Sequence, residues 1–146
     1  LYLLLIIVVR LIEEGRSTFY QMLWLCNVSF LLAAAGLFTG RYRLVGAGIA
    51  AVSGDQICWW IDCISYYTVG KFPVGAAKYI AWPETTTIRL ASSWHHIWFI
   101  PVCLWATHGA APAGSWGLSG VLTLLMVPYC RFATPFNIIL PGDDKP

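Results

Sequence analysis

The amino-acid sequence predicts an all-α fold, a polytopic bundle of transmembrane helices, and three observations carry that expectation. Charge is sparse: Asp, Glu, Lys and Arg make up 11% of the 146 residues, against about 25% in a soluble domain. Apolar residues make up 58% of the chain and the mean hydropathy is +0.67. Eight Trp and seven Tyr supply the side chains that concentrate where a bilayer meets water. A chain so short of charge cannot clothe a water-facing surface. Its net charge of +2 is too small to attract nucleic acid. The whole chain, residues 1–146, reads as a single integral membrane domain.

About five apolar segments follow one another, against the roughly 17–25 residues that a spanning helix uses. The first, Leu1 to Ile12, is short, opens without Met or a basic leader, and closes at Glu13-Glu14-Gly15-Arg16. It reads as the end of a truncated helix rather than a signal peptide. A second runs from about Phe19 to Phe38 and stops at Gly40-Arg41-Tyr42-Arg43. The third covers about Leu44 to Tyr67, interrupted by Gly54, Asp55 and Asp62; a loop with Lys71, Pro73, Lys78, Pro83 and Glu84 comes next. The fourth spans about Ile88 to Thr107 with Pro101 inside it. A Gly/Pro/Ala-rich turn over 109–117 leads into the fifth, about Leu118 to Phe132, and a polar end.

Basic residues set the expected orientation. Arg10, Arg16, Lys71, Lys78, Arg89, Arg131 and Lys145 fall on one side, and only Arg41 and Arg43 on the other. The positive-inside rule then places the C-terminus on the cytoplasmic side of a bacterial inner membrane, or the matrix or stromal side of an organelle inner membrane. Cysteines at 26, 58, 63, 103 and 130 form no Cys-x-x-Cys pair, which argues against a disulfide scaffold, a zinc ribbon and a redox dithiol.

Segment three carries the most informative polar residues. An Asp at a helix centre costs about 2.5–3.5 kcal/mol on insertion, whereas an aliphatic residue returns only about 0.3–0.6. Asp55 and Asp62 are seven apart with Cys58 between them, so they share one helix face. That face is expected to meet the bundle interior or a wet cavity. The two acids are candidates for a proton relay, a ligand pair or the groups that orient a catalytic His. The competing expectation is structural: hydrogen bonds to neighbouring helices, or pairing with Arg89 or Arg131.

Segment four holds Trp94-His95-His96-Ile97-Trp98. Adjacent residues on a helix point about 100° apart, so both His are not expected to face one metal, and at most one to meet the Asp face. His96, Asp55 and Asp62 lack the three- or four-residue spacing of helix-borne metal sites, and haem has no second ligand; no metal or cofactor is expected. In segment two, Cys26-Asn27 and Ser29 interrupt an apolar run. Cys26 is either an inert small hydrophobe or the nucleophile of a Cys–His dyad. In the dyad His96 takes the thiol proton, the thiolate attacks an acyl carbonyl, and Asp62 or Asp55 fixes the imidazole.

These pieces resemble a group of uncharacterised bacterial multipass membrane proteins. The matching elements are Leu25-Cys26-Asn27-Val28-Ser29-Phe30, Gly54-Asp55 with Trp59-Trp60-Ile61-Asp62, Ser93 through Pro101, and Pro135-Phe136-Asn137. That group is distantly similar to the androgen-inducible membrane lipid hydrolases and the related cysteine acyltransferases, which pair a Thr or Cys nucleophile on one helix with a His on another. The resemblance implies Cys26 as nucleophile and His96 as base. Two functions are therefore expected. One is a noncatalytic accessory subunit packing against lipid and protein partners in a larger energy-transducing membrane complex, where small-residue patches such as Gly46-Ala47-Gly48 let helices approach. The other is a membrane-embedded lipid acyl hydrolase or acyltransferase.

Overall fold

A computed structural model describes residues 2–14, 19, 22–83, 85–109 and 111–132. Helices α1 (Tyr2–Glu14), α2 (Leu25–Thr39) and α3 (Tyr42–Val69) come first. A 3-10 turn (Lys78–Ala81) precedes α4 (Thr87–Ser93), α5 (His95–Ala106) and α6 (Ser115–Phe132). The described residues contain no strand, so the fold is all-α as expected.

The longest element, α3, organises the rest: α2 packs along it, α6 and α5 lie against it, and α1 reaches α2 and α4. The α2–α3 hairpin is tight for local reasons. Gly40 ends α2 in the left-handed region (φ 68°), its N–H returning to the Gly36 carbonyl, a conformation open to glycine at no steric cost. Further along, a Cβ on Gly48 would stand 2.8 Å from the Ser29 carbonyl oxygen, and the bare face of Gly46 is filled by the Ser115 side chain at the start of α6. The small-residue patch thus brings α3 against α2 on one side and α6 on another. Ser115 Oγ also donates to the Arg43 carbonyl at 3.3 Å.

Two segments depart from expectation. The second apolar run yields a described helix of only 15 residues, starting at Leu25. The fourth is not one helix: α4 stops at Ser93 and α5 restarts at His95. Both Ser92 Oγ (2.8 Å) and Ser93 Oγ (3.0 Å) donate back to the Arg89 carbonyl. Such back-bonding competes with the helix ladder and bends it. Across the break the backbone shortens to three-residue steps, Trp94 N–H to Ala91 O and Ile97 N–H to Trp94 O. Pro101 follows inside α5, where it can offer no N–H to Ile97. The Pro135-Phe136-Asn137 element and the polar C-terminal end lie outside the described residues.

Burial runs against the usual pattern. Gln56, Asp62 and Ser29 are fully buried, as are Arg10, Asn27, His95 and His96 nearly so. Meanwhile Phe38, Ile12, Trp105, Leu124 and Leu125 stand exposed.

Candidate functional site: a buried thiol and two imidazoles

The second position of α2 places Cys26 at a helix start, and the α4–α5 break delivers two imidazoles to it. A nitrogen of His95, a nitrogen of His96 and the Cys26 sulfur all lie within 4.8 Å of one another, and all three residues are buried. The expected meeting of Cys26 with His96 is therefore present. His95 joins them, against the expectation that adjacent His point apart. That argument assumed a continuous helix. His95 instead begins a new one, and the two rings lie 4.2 Å apart, centroid to centroid, tilted by 32°.

Each ring is held from outside. Nδ1 of His95 lies 2.6 Å from the Ser92 carbonyl oxygen, so this nitrogen carries the proton and donates it, leaving Nε2 as the lone-pair atom. Phe30 packs edge-on against the same ring at 5.5 Å. Trp59 stacks on His96 at 5.1 Å, and the Trp60 indole N–H donates to the His96 carbonyl at 2.9 Å. Ser92 also ties α1 to the site: its Oγ accepts from Arg10 Nη2 at 2.8 Å and its carbonyl accepts from the Tyr2 hydroxyl at 3.1 Å. Apolar residues close the space around the sulfur, among them Val52, Ile49, Phe99 and Cys103.

Polar atoms at this centre are left without partners. His95 Nε2, His96 Nδ1, both amide atoms of Gln56 and Ser29 Oγ are buried with no hydrogen bond among the described residues. Gln56 sits on α3 between Val52, which packs in the Cys26 cluster, and Trp59, which stacks on His96. Buried polar atoms are satisfied in the great majority of cases, so these atoms call for a water, an ion or another non-protein group as partner.

The two acids do not complete this site. Asp62 is fully buried, but its oxygens accept from the backbone N–H groups of Val74 (2.8 Å) and Ala77 (2.9 Å). It fastens the 70–83 loop onto α3. Neither an imidazole nor Arg89 takes part in those bonds. Asp55 is exposed. The shared face expected from their spacing is a matter of azimuth alone: two helical turns separate them along the axis, about 10 Å, and the loop covers only one. Arg131, Asp55's other expected partner, has its side chain outside the described residues.

Beside His96, across Trp59 and Trp60, lies an apolar groove of about 410 Å³ that Tyr67, Ile80, Leu90, Trp94 and Ile97 help to line. Sequence reasoning found Cys26 and His96 but missed His95, Ser92, Arg10 and Gln56. The signal for the first two was present in Ser92-Ser93, a pair of helix-disrupting hydroxyls directly before Trp94-His95-His96. Among the described residues α3 alone is long and apolar enough to cross a membrane, while Tyr2–Ile12, Leu25–Thr39 and Ser115–Tyr129 are shorter apolar helices. No known family, curated protein or solved structure matches the chain.

Proposed function

We propose that this protein is a multi-span membrane subunit that packs against partner helices, and that it serves the assembly without catalysing a reaction itself. The observation that carries the reading is Asp55. It lies near the middle of α3, the one described helix of spanning length, and it is exposed beside Gly54, around which nothing approaches within 4 Å of a would-be Cβ. A carboxyl group facing lipid at that depth would cost about 2.5–3.5 kcal/mol. A partner helix meeting a bare Gly-Asp notch removes that cost. Tyr42 and Tyr67 are both exposed at opposite ends of α3, about 37 Å apart at 1.5 Å per residue, a separation that suits the two interfaces of a bilayer. The exposed aliphatic side chains on α1, α2 and α6 give lipid or partners an apolar surface.

A photo-crosslinking residue at position 54, in native membranes, tests the idea. Crosslinks to a second polypeptide are expected; crosslinks to lipid alone would sink it. Cys26 beside His96 supports a second reading, acyl transfer or lipid acyl hydrolysis with Cys26 as nucleophile and His96 as base, and the neighbouring groove is apolar enough for an acyl chain. On that reading an acyl-directed activity probe labels the wild type but neither Cys26→Ser nor His96→Ala. Labelling of all three alike, or of none, rejects it.

A further inference from the structure

The three residues at the buried centre have the chemistry of a metal site as much as of a dyad. One is a thiol and two are imidazoles, and their donor atoms already lie within 4.8 Å of one another. His95 is preset for ligation. A metal-binding His nearly always donates its other ring N–H to a carbonyl or carboxylate, which fixes tautomer and direction. Here the Ser92 carbonyl takes the Nδ1 proton at 2.6 Å, and the buried Nε2 has no partner. His96 is locked by Trp59 on its face and leaves Nδ1 buried and unpartnered. Neither acid joins the cluster as a hard oxygen ligand: the loop engages both oxygens of Asp62, and Asp55, exposed at the surface yet close enough to act on the charge of Cys26, places no oxygen among the three donor atoms.

Charge selects among soft ions. Thiolate with two neutral imidazoles carries one negative charge. Arg10, buried and tied to Ser92 at 2.8 Å, brings a positive charge to the same region, and Asp55 acts on Cys26 with the opposite sign. A divalent ion would leave the ligand set with an uncompensated charge in an apolar interior, which is costly. A monovalent ion leaves it neutral. Thiolate and imidazole suit copper, and three ligands complete a trigonal site for Cu(I) without a fourth group.

We propose that Cys26, His95 and His96 bind one copper ion, held as Cu(I), at the junction of α2, α3 and the α4–α5 break. On binding, the Cys26 proton leaves to solvent and the sulfur lone pair goes to copper; no change of oxidation state is involved. The inference goes beyond the subunit reading, and it excludes the acyl-transfer one, because a ligated thiolate cannot attack a carbonyl.

The test uses the full chain in lipid nanodiscs under anaerobic, reducing conditions, titrated with Cu(I) against a chromophoric Cu(I) chelator. One ion per chain is expected, with X-ray absorption showing one sulfur and two nitrogen neighbours. Cys26→Ser and His95→Ala are each expected to weaken binding at least tenfold, whereas Cys58→Ser leaves it unchanged. A second measurement needs no variant: adding Cu(I) is expected to raise a near-ultraviolet thiolate-to-copper charge-transfer band in the difference spectrum, one that saturates at one ion per chain. Absence of stoichiometric binding, equal binding by Cys26→Ser, or retention of Zn(II) in preference to Cu(I) would each overturn the proposal. Crosslinking at position 54 is read independently of copper, so the two proposals fail separately.

Discussion

At the scale of single residues, Ser92 shows how a small side chain organises a site. Its hydroxyl accepts from Arg10 and donates to the Arg89 carbonyl, while its own carbonyl takes the Tyr2 hydroxyl and the His95 ring. Ser92→Ala removes an acceptor for a buried guanidinium, a bond to a charged group worth about 1.5–3 kcal/mol, but leaves the backbone carbonyl in place. A lower thermal midpoint in detergent is therefore expected, with copper stoichiometry retained. Asp62 predicts a different effect. Its carboxylate satisfies two backbone N–H groups of the 70–83 loop, so Asp62→Ala is expected to cost about 3 kcal/mol and to free the loop. Limited trypsin digestion reads this directly at Lys71 and Lys78, both exposed; a cleavage rate equal to wild type would count against a fastening role.

At the scale of elements, the α2–α3 contact depends on backbone approaching backbone. Gly48→Ala would put a Cβ 2.8 Å from the Ser29 carbonyl oxygen, and neither helix can yield locally, so a fall in thermal midpoint is expected. Gly54→Ala meets nothing within 4 Å and is expected to gain up to about 1 kcal/mol from helix propensity. The two glycines stand on one helix, so the pair separates packing from propensity in a single thermal-shift series. Which elements the sequence revealed follows from the same physics. Apolar runs and their Gly-rich stops marked α3 nearly to its ends, because α3 obeys length and composition alone. The α4–α5 break leaves a faint signal by comparison, since it rests on two hydroxyls, Ser92 and Ser93, that both bond one carbonyl, and neither length nor composition registers them. Helical periodicity, which turns adjacent residues about 100° apart, therefore separates His95 from His96, whereas the break brings both beside Cys26. Asp55 and Asp62 were joined by periodicity, which gives direction around a helix and says nothing of a loop folding over one level of it.

At the scale of the whole molecule, the distribution of polarity decides the environment the fold suits. Arg10, Asn27, Gln56, Asp62, His95 and His96 are inside, and Leu, Ile, Val, Phe and Trp side chains of several helices are outside. Exposed apolar side chains gathered into a surface are the kind that lipid or a partner covers. The chain is accordingly expected to stay in the membrane pellet through alkaline carbonate extraction; release to the supernatant would contradict the membrane reading. On the proposed subunit reading, Asp55→Leu is expected to keep that membrane association yet weaken partner association on native gels, because it removes the polar group that a partner would cover while leaving the apolar surface intact.

The separation of Cys26 from His95 along the chain has a consequence in time. A ribosome making about 5–20 residues per second needs roughly 3–14 s to pass from the thiol to the first imidazole. Only once Val69 has been added are α2 and α3 both complete, and from then until residue 95 the sulfur is present while neither imidazole is yet made. The centre is thus completed by the arrival of the α4–α5 break. Biosynthesis therefore carries Cys26 across that gap with neither imidazole beside it, and the order of synthesis makes the thiol the first of the three side chains and the imidazoles the last.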